Sequence, residues 1–293
     1  MTETEMDERI VLILGTAQFQ SGYGIVRDLD QAGEPAGPSL FELAPTLGIA
    51  ALDTAPVYGS AEEAIGQSRC GLPVHTKLDP KRSPAESLSQ SLKDLRRDRV
   101  DVLYIHDSAE VLRPESRVVA SASELVGEQV GSLGASVYDL PEFEAAVDDP
   151  RIGVVQVPLN LFDRRLTRDL IASAASTGTI VYVRSVLLQG ILAADPLELV
   201  GPTLPLRPYV VAFAELAQRA GRTRRDLAIG WVKAISGIRG MLVGAESVIK
   251  LREMVASFNS PPLDDDLIAE LEALPYPPAA QCDPRSWTIV TSP

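Results

Sequence analysis

Val100-Asp101-Val102-Leu103-Tyr104-Ile105-His106 is an apolar run that stops on an imidazole. Two shorter runs precede it and end in the same way. Ala50-Ala51-Leu52-Asp53 stops on a carboxylate and leads into Thr54-Ala55-Pro56-Val57-Tyr58-Gly59; Val74-His75-Thr76-Lys77 stops on an ammonium. Short β-like segments ending on polar, titratable groups are what a parallel α/β barrel presents at its C-terminal rim.

Working outward, the alternation continues. Strands are expected at 10–16, 50–53, 74–77 and 100–106, a fifth closing at 134–137, then 154–158, 180–185 and 241–244. Helical patterns fall between them at 40–47, 60–67, 84–95, 121–128, 141–147, 167–176, 209–220, 225–235 and 247–258. In the second of these, Ser60 followed by Glu63 reads as a capping box. Leu88, Leu92 and Leu95 mark one face of the third. The strands are apolar at successive positions, as expected when both faces are buried.

Eight βα units without a composition break imply a single (β/α)8 TIM barrel. A doubly wound sheet is the rival, but the first turn lacks G-x-G-x-x-G. The expected organisation is a flexible N-terminus at 1–8, a barrel at 9–260, and a C-terminal helix with an irregular flap at 261–293.

The chain has 293 residues, 45% of them hydrophobic, enough for one sizeable core. Net charge is −13, so a polyanion is repelled and nucleic acid is a poor partner. Two cysteines (Cys70, Cys282) and two histidines make neither a disulfide framework nor a zinc pattern. The first eight residues are acidic and polar, unlike a secretory signal, and no apolar run reaches the ~20 residues of a membrane helix. The expectation is a cytoplasmic protein acting on a small molecule, with its oligomeric state unread.

Taken singly, Asp53 reads as a turn residue, Tyr58 as a loop aromatic, Lys77 as a surface charge and His106 as a strand-end histidine. Taken together, at strand ends, they form one proton-transfer device, because an ammonium beside a phenol stabilises the phenolate. His75 alternates with Lys77 and reads as structural. Asp264-Asp265-Asp266 reads as a helix start favoured by the dipole rather than a metal site. Tyr276 and Trp287 read equally as flap aromatics or as tail anchors.

The ordered set Leu14-Gly15-Thr16-Ala17, Leu52-Asp53-Thr54-Ala55 with Tyr58-Gly59, Glu62-Glu63 with Gly66, Thr76-Lys77, His106, Gly134-Ala135-Ser136, Gln156-Val157-Pro158-Leu159-Asn160, Gln189-Gly190-Ile191-Leu192 and Val243-Gly244 resembles the aldo/keto reductases. Gly15-Thr16-Ala17-Gln18-Phe19 with Tyr23-Gly24-Ile25, and Arg184-Ser185-Val186-Leu187-Leu188-Gln189-Gly190, are similar to a bacterial branch associated with polysaccharide and sugar-nucleotide pathways.

The resemblance implies reversible hydride transfer between NADP or NAD and an aldehyde, ketone or sugar carbonyl. Tyr58 would be the general acid, Lys77 paired with Asp53 would stabilise its phenolate, and His106 would orient the carbonyl oxygen. Ser136 and Gln156 would hold the nicotinamide carboxamide, with Arg184 stacked where relatives carry an aromatic. Ser185, Leu187, Gln189 and Gly190 would line the diphosphate path, Gly244, Ser247, Lys250 and Glu253 would meet the adenosine end, and Gly15, Thr16 and Asp53 would also contact the cofactor. Three departures stand out: Val137 replaces a usual Asn, Glu246 stands where relatives carry a cation near the 2′-phosphate, and Met254 replaces an adenine-contacting Asn. Two other readings stay open: a Schiff-base lyase using Lys77, and a cofactor-binding barrel with little turnover.

Overall fold

A computed structural model describes residues 9–19 and 38–287. Eight strands close into one barrel in sequence order: β1 (Val11–Gly15), β2 (Ile49–Asp53), β3 (Val74–Lys77), β4 (Val100–Ile105), β5 (Val130–Ser136), β6 (Val154–Pro158), β7 (Ile180–Arg184) and β8 (Ile238–Gly244). Each neighbouring pair is parallel, including the closing pair of β1 and β8. The expected TIM barrel is the observed architecture. The stretch at 1–8 and Tyr23-Gly24-Ile25 lie outside the described residues.

The helices among the described residues are α1 (Pro38–Leu43), α2 (Ala61–Ser68), α3 (Pro84–Leu95), α4 (Arg117–Ser123), α5 (Leu140–Asp148), α6 (Arg168–Ser176), α7 (Arg207–Arg219), α8 (Arg224–Lys233), α9 (Val248–Phe258) and α10 (Asp265–Ala273). In α3, Leu88, Leu92 and Leu95 are buried against the sheet, as their spacing implies. Each such side chain contributes roughly 1.5–3 kcal/mol on leaving water.

Two expectations fail locally. Ser60 precedes α2 but its φ of −91° and ψ of 15° are not the extended cap geometry, and its side chain makes no capping bond. The capping box forms instead at Ser83 and Glu86, ahead of α3. The fourth helix is also shifted toward the N-terminus. Ser116 accepts from Val119 N and starts α4 there, whereas Gly127 takes a φ of 134° and ends any helical course.

The strands bury two different layers. Outward residues such as Leu52, Leu103 and Val155 pack under the helices in the main core. Inward residues fill the lumen: Ile13, Ala51 and Leu242 form one cluster, and Val102, Tyr104 and Val154 another, with Tyr182 touching both. Period-2 alternation from these residues carries Asp53, Lys77 and Gln156 into the same lumen, one layer nearer the C-terminal rim. Tyr104 fits because β5 carries Gly134 opposite it; a Cβ there would lie 2.6 Å from Tyr104 Cδ1.

After α10 the described part of the tail contains two short 3-10 turns, at Ala279–Cys282 and Pro284–Ser286. The Cys282 thiol donates to Phe162 O at 3.6 Å, and burial, its largest influence, pushes it up to about 12, so it is a packed group and no nucleophile. Trp287 Nε1 donates to Gln281 O at 3.0 Å, and Arg164 lies 4.6 Å from the Tyr276 ring. Trp287 is buried in the main core, whereas Tyr276 is exposed. Among the described residues no helix is long and apolar enough to cross a membrane, and no group of three or more His, Cys, Asp or Glu residues could hold a metal ion.

Candidate active site

The last residues of β2 and β3 meet in the lumen. Lys77 Nζ donates to Asp53 Oδ1 at 2.6 Å and to Thr54 O at 2.9 Å. Lys77 is 1% exposed and Asp53 3% exposed, so this ion pair is removed from water. Burial alone would pull the ammonium down; the Asp53 charge, with a smaller contribution from the Tyr58 oxygen, more than offsets it and holds Lys77 above the usual lysine value. Lys77 thus stays charged.

Tyr58 sits in the turn that follows β2, where Tyr58 N donates to Ala55 O. Its ring centroid lies 5.1 Å from Lys77 Nζ. The His106 ring stands edge-on to it, 6.5 Å away at 87°. Burial, then the Lys77 charge, lowers His106 from 6.5 to about 4, so its imidazole is neutral at ordinary pH and carries one N–H donor. The structure brings the four residues together at the barrel mouth. An ammonium, a phenol and a neutral imidazole there can present two donors to one oxygen atom, with a fixed positive charge behind them.

Gln156, at the same level on β6, donates through Nε2 to Asp53 Oδ2 at 2.7 Å. Its Oε1 is buried and has no protein partner. Ser136 pairs with Gln156 in the strand register and is buried beside it. Thr16 bonds Asp53 O through both N and Oγ1, and Gly15 faces Asp53 on one side and Gly244 on the other.

The loop after β7 is bent sharply. Ser185, Leu188 and Gln189 have φ of 60°, 47° and 53°, with Leu187 preceding that turn and Gly190 at 94° ending it. Three non-glycine residues in the left-handed region mark a segment held by its surroundings; Asn160 Nδ2 donates to Ser185 O. Across the rim, Ser247 caps α9 by accepting from Lys250 N, and Lys250 Nζ lies 3.3 Å from Glu253 Oε2. Gln18 lies directly on Gly244, where a side chain on the glycine would collide with it. Of the residues expected to contact a cofactor, Gly15, Arg184 and Gly244 end β1, β7 and β8, Thr16, Ser185 and Ser247 follow those strands, and Asp53, Ser136 and Gln156 stand on β2, β5 and β6.

The aldo/keto reductase family profile matches residues 11–275, almost the whole chain. The chain belongs to the aldo/keto reductase family. It is accordingly a carbonyl oxidoreductase. Solved reductases share its fold. An aldo-keto reductase of Bacillus halodurans in its apo form has a TM-score of 0.71 at 20% identity, covering 90% of each chain. The thermostable aldo-keto reductase Tm1743, solved with the inhibitor epalrestat, has a TM-score of 0.68 at 23% identity, covering 90% of this chain and 94% of its own. The glycerol dehydrogenase of Gluconobacter oxydans has a TM-score of 0.66 at 22% identity, covering 89% and 90%. No curated protein matches this reductase sequence.

Two lumen residues of this reductase escaped the sequence reading. Tyr104 is fully buried with Lys77 Nζ 5.7 Å from its ring centre, and burial pushes its phenol well above the ordinary value. Tyr182 stacks on His75 at 5.3 Å. Counting back by twos from His106 would have placed Tyr104 in the lumen. His75 itself is buried and lowered by that burial, consistent with a packed neutral ring.

Proposed function

We propose that this aldo/keto reductase reduces an aldehyde, ketone or sugar carbonyl with NADPH or NADH. The observation that carries the reading is the buried Lys77–Asp53 pair beneath the Tyr58 phenol and the neutral His106. When bound, the cofactor supplies the hydride to the carbonyl carbon. The residues fit such a group. The orphaned Gln156 Oε1 is an acceptor suited to a carboxamide N–H, Ser136 is its neighbour, and the α9 N-terminus at Ser247 offers backbone donors to phosphate.

Tyr58 O–H gives its proton to the carbonyl oxygen as negative charge gathers there. The Lys77 charge, 5.1 Å from the ring centre, favours the oxygen that is left negative, and Asp53 keeps the ammonium charged. His106 donates one hydrogen bond to the same carbonyl oxygen, and its neutrality prevents it from competing as the acid. In the oxidative direction Tyr58 takes the proton back.

Glu246 is exposed just ahead of the Ser247 cap. A carboxylate there repels a 2′-phosphate and can bond a free ribose hydroxyl. The preference for NADPH over NADH is therefore weak or reversed. Oxidation of NADPH and NADH across a carbonyl panel tests both readings, with Tyr58→Phe as the control. Turnover should fall by about 10²–10⁴ in that variant. Unchanged activity removes Tyr58 from the mechanism, and a thousandfold NADPH preference removes the role of Glu246.

The lyase reading needs an uncharged Lys77, and the Asp53 pair argues for the charged form. A borohydride-trapped adduct on Lys77 would reverse that judgement. The little-turnover reading draws only on Val137, Glu246 and Met254, and cofactor binding without activity on any carbonyl would support it.

A further inference from the structure

Arg184 ends β7 and is half-buried at the barrel mouth. Its side chain reaches past the end of β6 to the residues that directly follow β5. Nη2 donates to Val137 O at 3.2 Å, and the guanidinium carbon lies 4.3 Å from the Tyr138 ring centre. A second, long contact of 3.5 Å runs from Nη1 to Ser185 Oγ. Among the described residues it has no carboxylate partner. The neighbouring arginines do: Arg165 pairs with Asp163 at 2.7 Å and Arg285 with Asp283 at 2.6 Å. Glu142, four residues beyond Tyr138, is already committed, accepting from Tyr138 N and Ser108 Oγ, each at 2.6 Å.

A half-buried guanidinium without a counter-ion is costly unless a ligand supplies one. Arg285 adds a second cation, stacked 3.7 Å from the same Tyr138 ring. Because Asp283 already pairs with Arg285, Arg184 is the cation at this place left to admit an anion into a chain of net charge −13. Both Lys77 and His106 feel the Arg184 charge, as expected for a group facing the same mouth. The direction of the side chain decides whose anion it serves. Gly244, Ser247 and Lys250, the residues proposed for the adenosine end of the cofactor, lie on β8 and α9, whereas Arg184 leans toward β5 and the His106 side.

We propose that Arg184, backed by Tyr138 and Arg285, binds an oxyanion carried by the carbonyl substrate itself, a carboxylate or a phosphate a few bonds from the reacting carbonyl. This rests on the reductase reading. The guanidinium has five N–H donors and the protein engages two, so edge donors remain for the anion.

The test compares 4-formylbenzoate with its neutral methyl ester in the wild type, Arg184→Gln and Arg184→Lys. The ratio of the two kcat/KM values should favour the carboxylate in the wild type. It should fall by about 10–100-fold in Arg184→Gln, chiefly through KM, and recover in part in Arg184→Lys, the loss expected for one charge-assisted contact. 4-Formylphenyl phosphate in the same assay assigns the site to phosphate if its ratio exceeds that of the carboxylate. Calorimetry with terephthalate on cofactor-free protein reads the site without turnover: binding that disappears in Arg184→Gln supports it even if neither aldehyde is reduced, in which case the reductase reading alone fails. A ratio unmoved by Arg184→Gln, with terephthalate binding equally unmoved, overturns the proposal. So does an equal fall for both aldehydes accompanied by weaker cofactor binding, since the guanidinium then serves the cofactor.

Discussion

Gln156 Nε2 reaches Asp53 Oδ2 at 2.7 Å from the other side of the lumen. Lys77 takes the second carboxylate oxygen at 2.6 Å, so Asp53 is gripped from two directions. A carboxylate only accepts, which fixes the amide with nitrogen toward Asp53 and oxygen away. The Lys77–Asp53 ion pair and the expected nicotinamide contact are thereby one network.

Removing the amide should weaken the fold as well as the site. Gln156→Leu keeps the volume and deletes a bond to a charged group, at a cost of about 1.5–3 kcal/mol. Gln156→Glu should cost more, because two carboxylates would then share the lumen. Urea unfolding of both variants checks the order; a Gln156→Glu protein as stable as the wild type would contradict it.

The Lys77–Asp53 pair should behave as a unit. Lys77→Met leaves a buried carboxylate without its counter-ion, which costs about 3–5 kcal/mol, and Asp53→Asn leaves the ammonium in the same position. The double variant should be less destabilised than the sum of the two singles. A denaturation cycle measures that coupling, and strict additivity would mean that the pair contributes independently.

The barrel was legible because its evidence is local. Runs of buried β residues ended at Asp53, Lys77 and His106, and loops between helix-like stretches gave the order of the strands. What the sequence did not reveal is held by contacts between distant segments. Gln156 and Asp53 are 103 residues apart, and no local pattern signals their bond. Tyr104 and Gly134 specify each other across two strands. Arg184 donates to the Val137 carbonyl, 47 residues away. At α2 the pattern Ser60 with Glu63 was present but the backbone entered the helix at the wrong angle for the hydroxyl to reach. At α4 the segment was too weakly periodic for its start at Ser116 to be read.

Acid should loosen this protein through its histidines. His106 is lowered from 6.5 to about 4, first by burial and then by Lys77, and burial lowers His75 as well. Between the folded and unfolded values the unfolded chain binds more protons, so stability rises with pH there and is lost as pH falls from about 6.5 toward 4. At about 1.4 kcal/mol per unit, His106 alone is worth roughly 3 kcal/mol at full shift. Glu62 opposes the trend, because burial raises its carboxyl. The chain has two histidines, so their imidazole NMR signals are separable. His106 should titrate with a midpoint near 4 and His75 below 6.5, and His106→Gln should flatten the acid limb of the stability curve. A midpoint of 6.5 or above for His106 would remove the basis for its role as a neutral donor.

Gly134 should tolerate no side chain. A Cβ on it would lie 2.6 Å from Tyr104 Cδ1, 2.7 Å from Cε1 and 3.1 Å from Val154 O. The Tyr104 ring has little room to yield, since it is fully buried with His75 at 6.2 Å and Lys77 Nζ at 5.7 Å. Gly134→Ala should therefore cost about 1–3 kcal/mol by overpacking. It should also lower kcat, because a displaced ring disturbs the neighbouring Lys77 ammonium. Gly153→Ala is the control: nothing lies within 4 Å of its Cβ position. That change should be near neutral, or stabilising by up to ~1 kcal/mol through the unfolded chain. Combining Gly134→Ala with Tyr104→Leu should restore most of the lost stability by vacating the ring's space. Thermal melts of the four proteins decide the matter: if Gly134→Ala and Gly153→Ala cost the same, or if Tyr104→Leu gives no rescue, the close approach of ring and glycine is not what fixes this layer of the lumen.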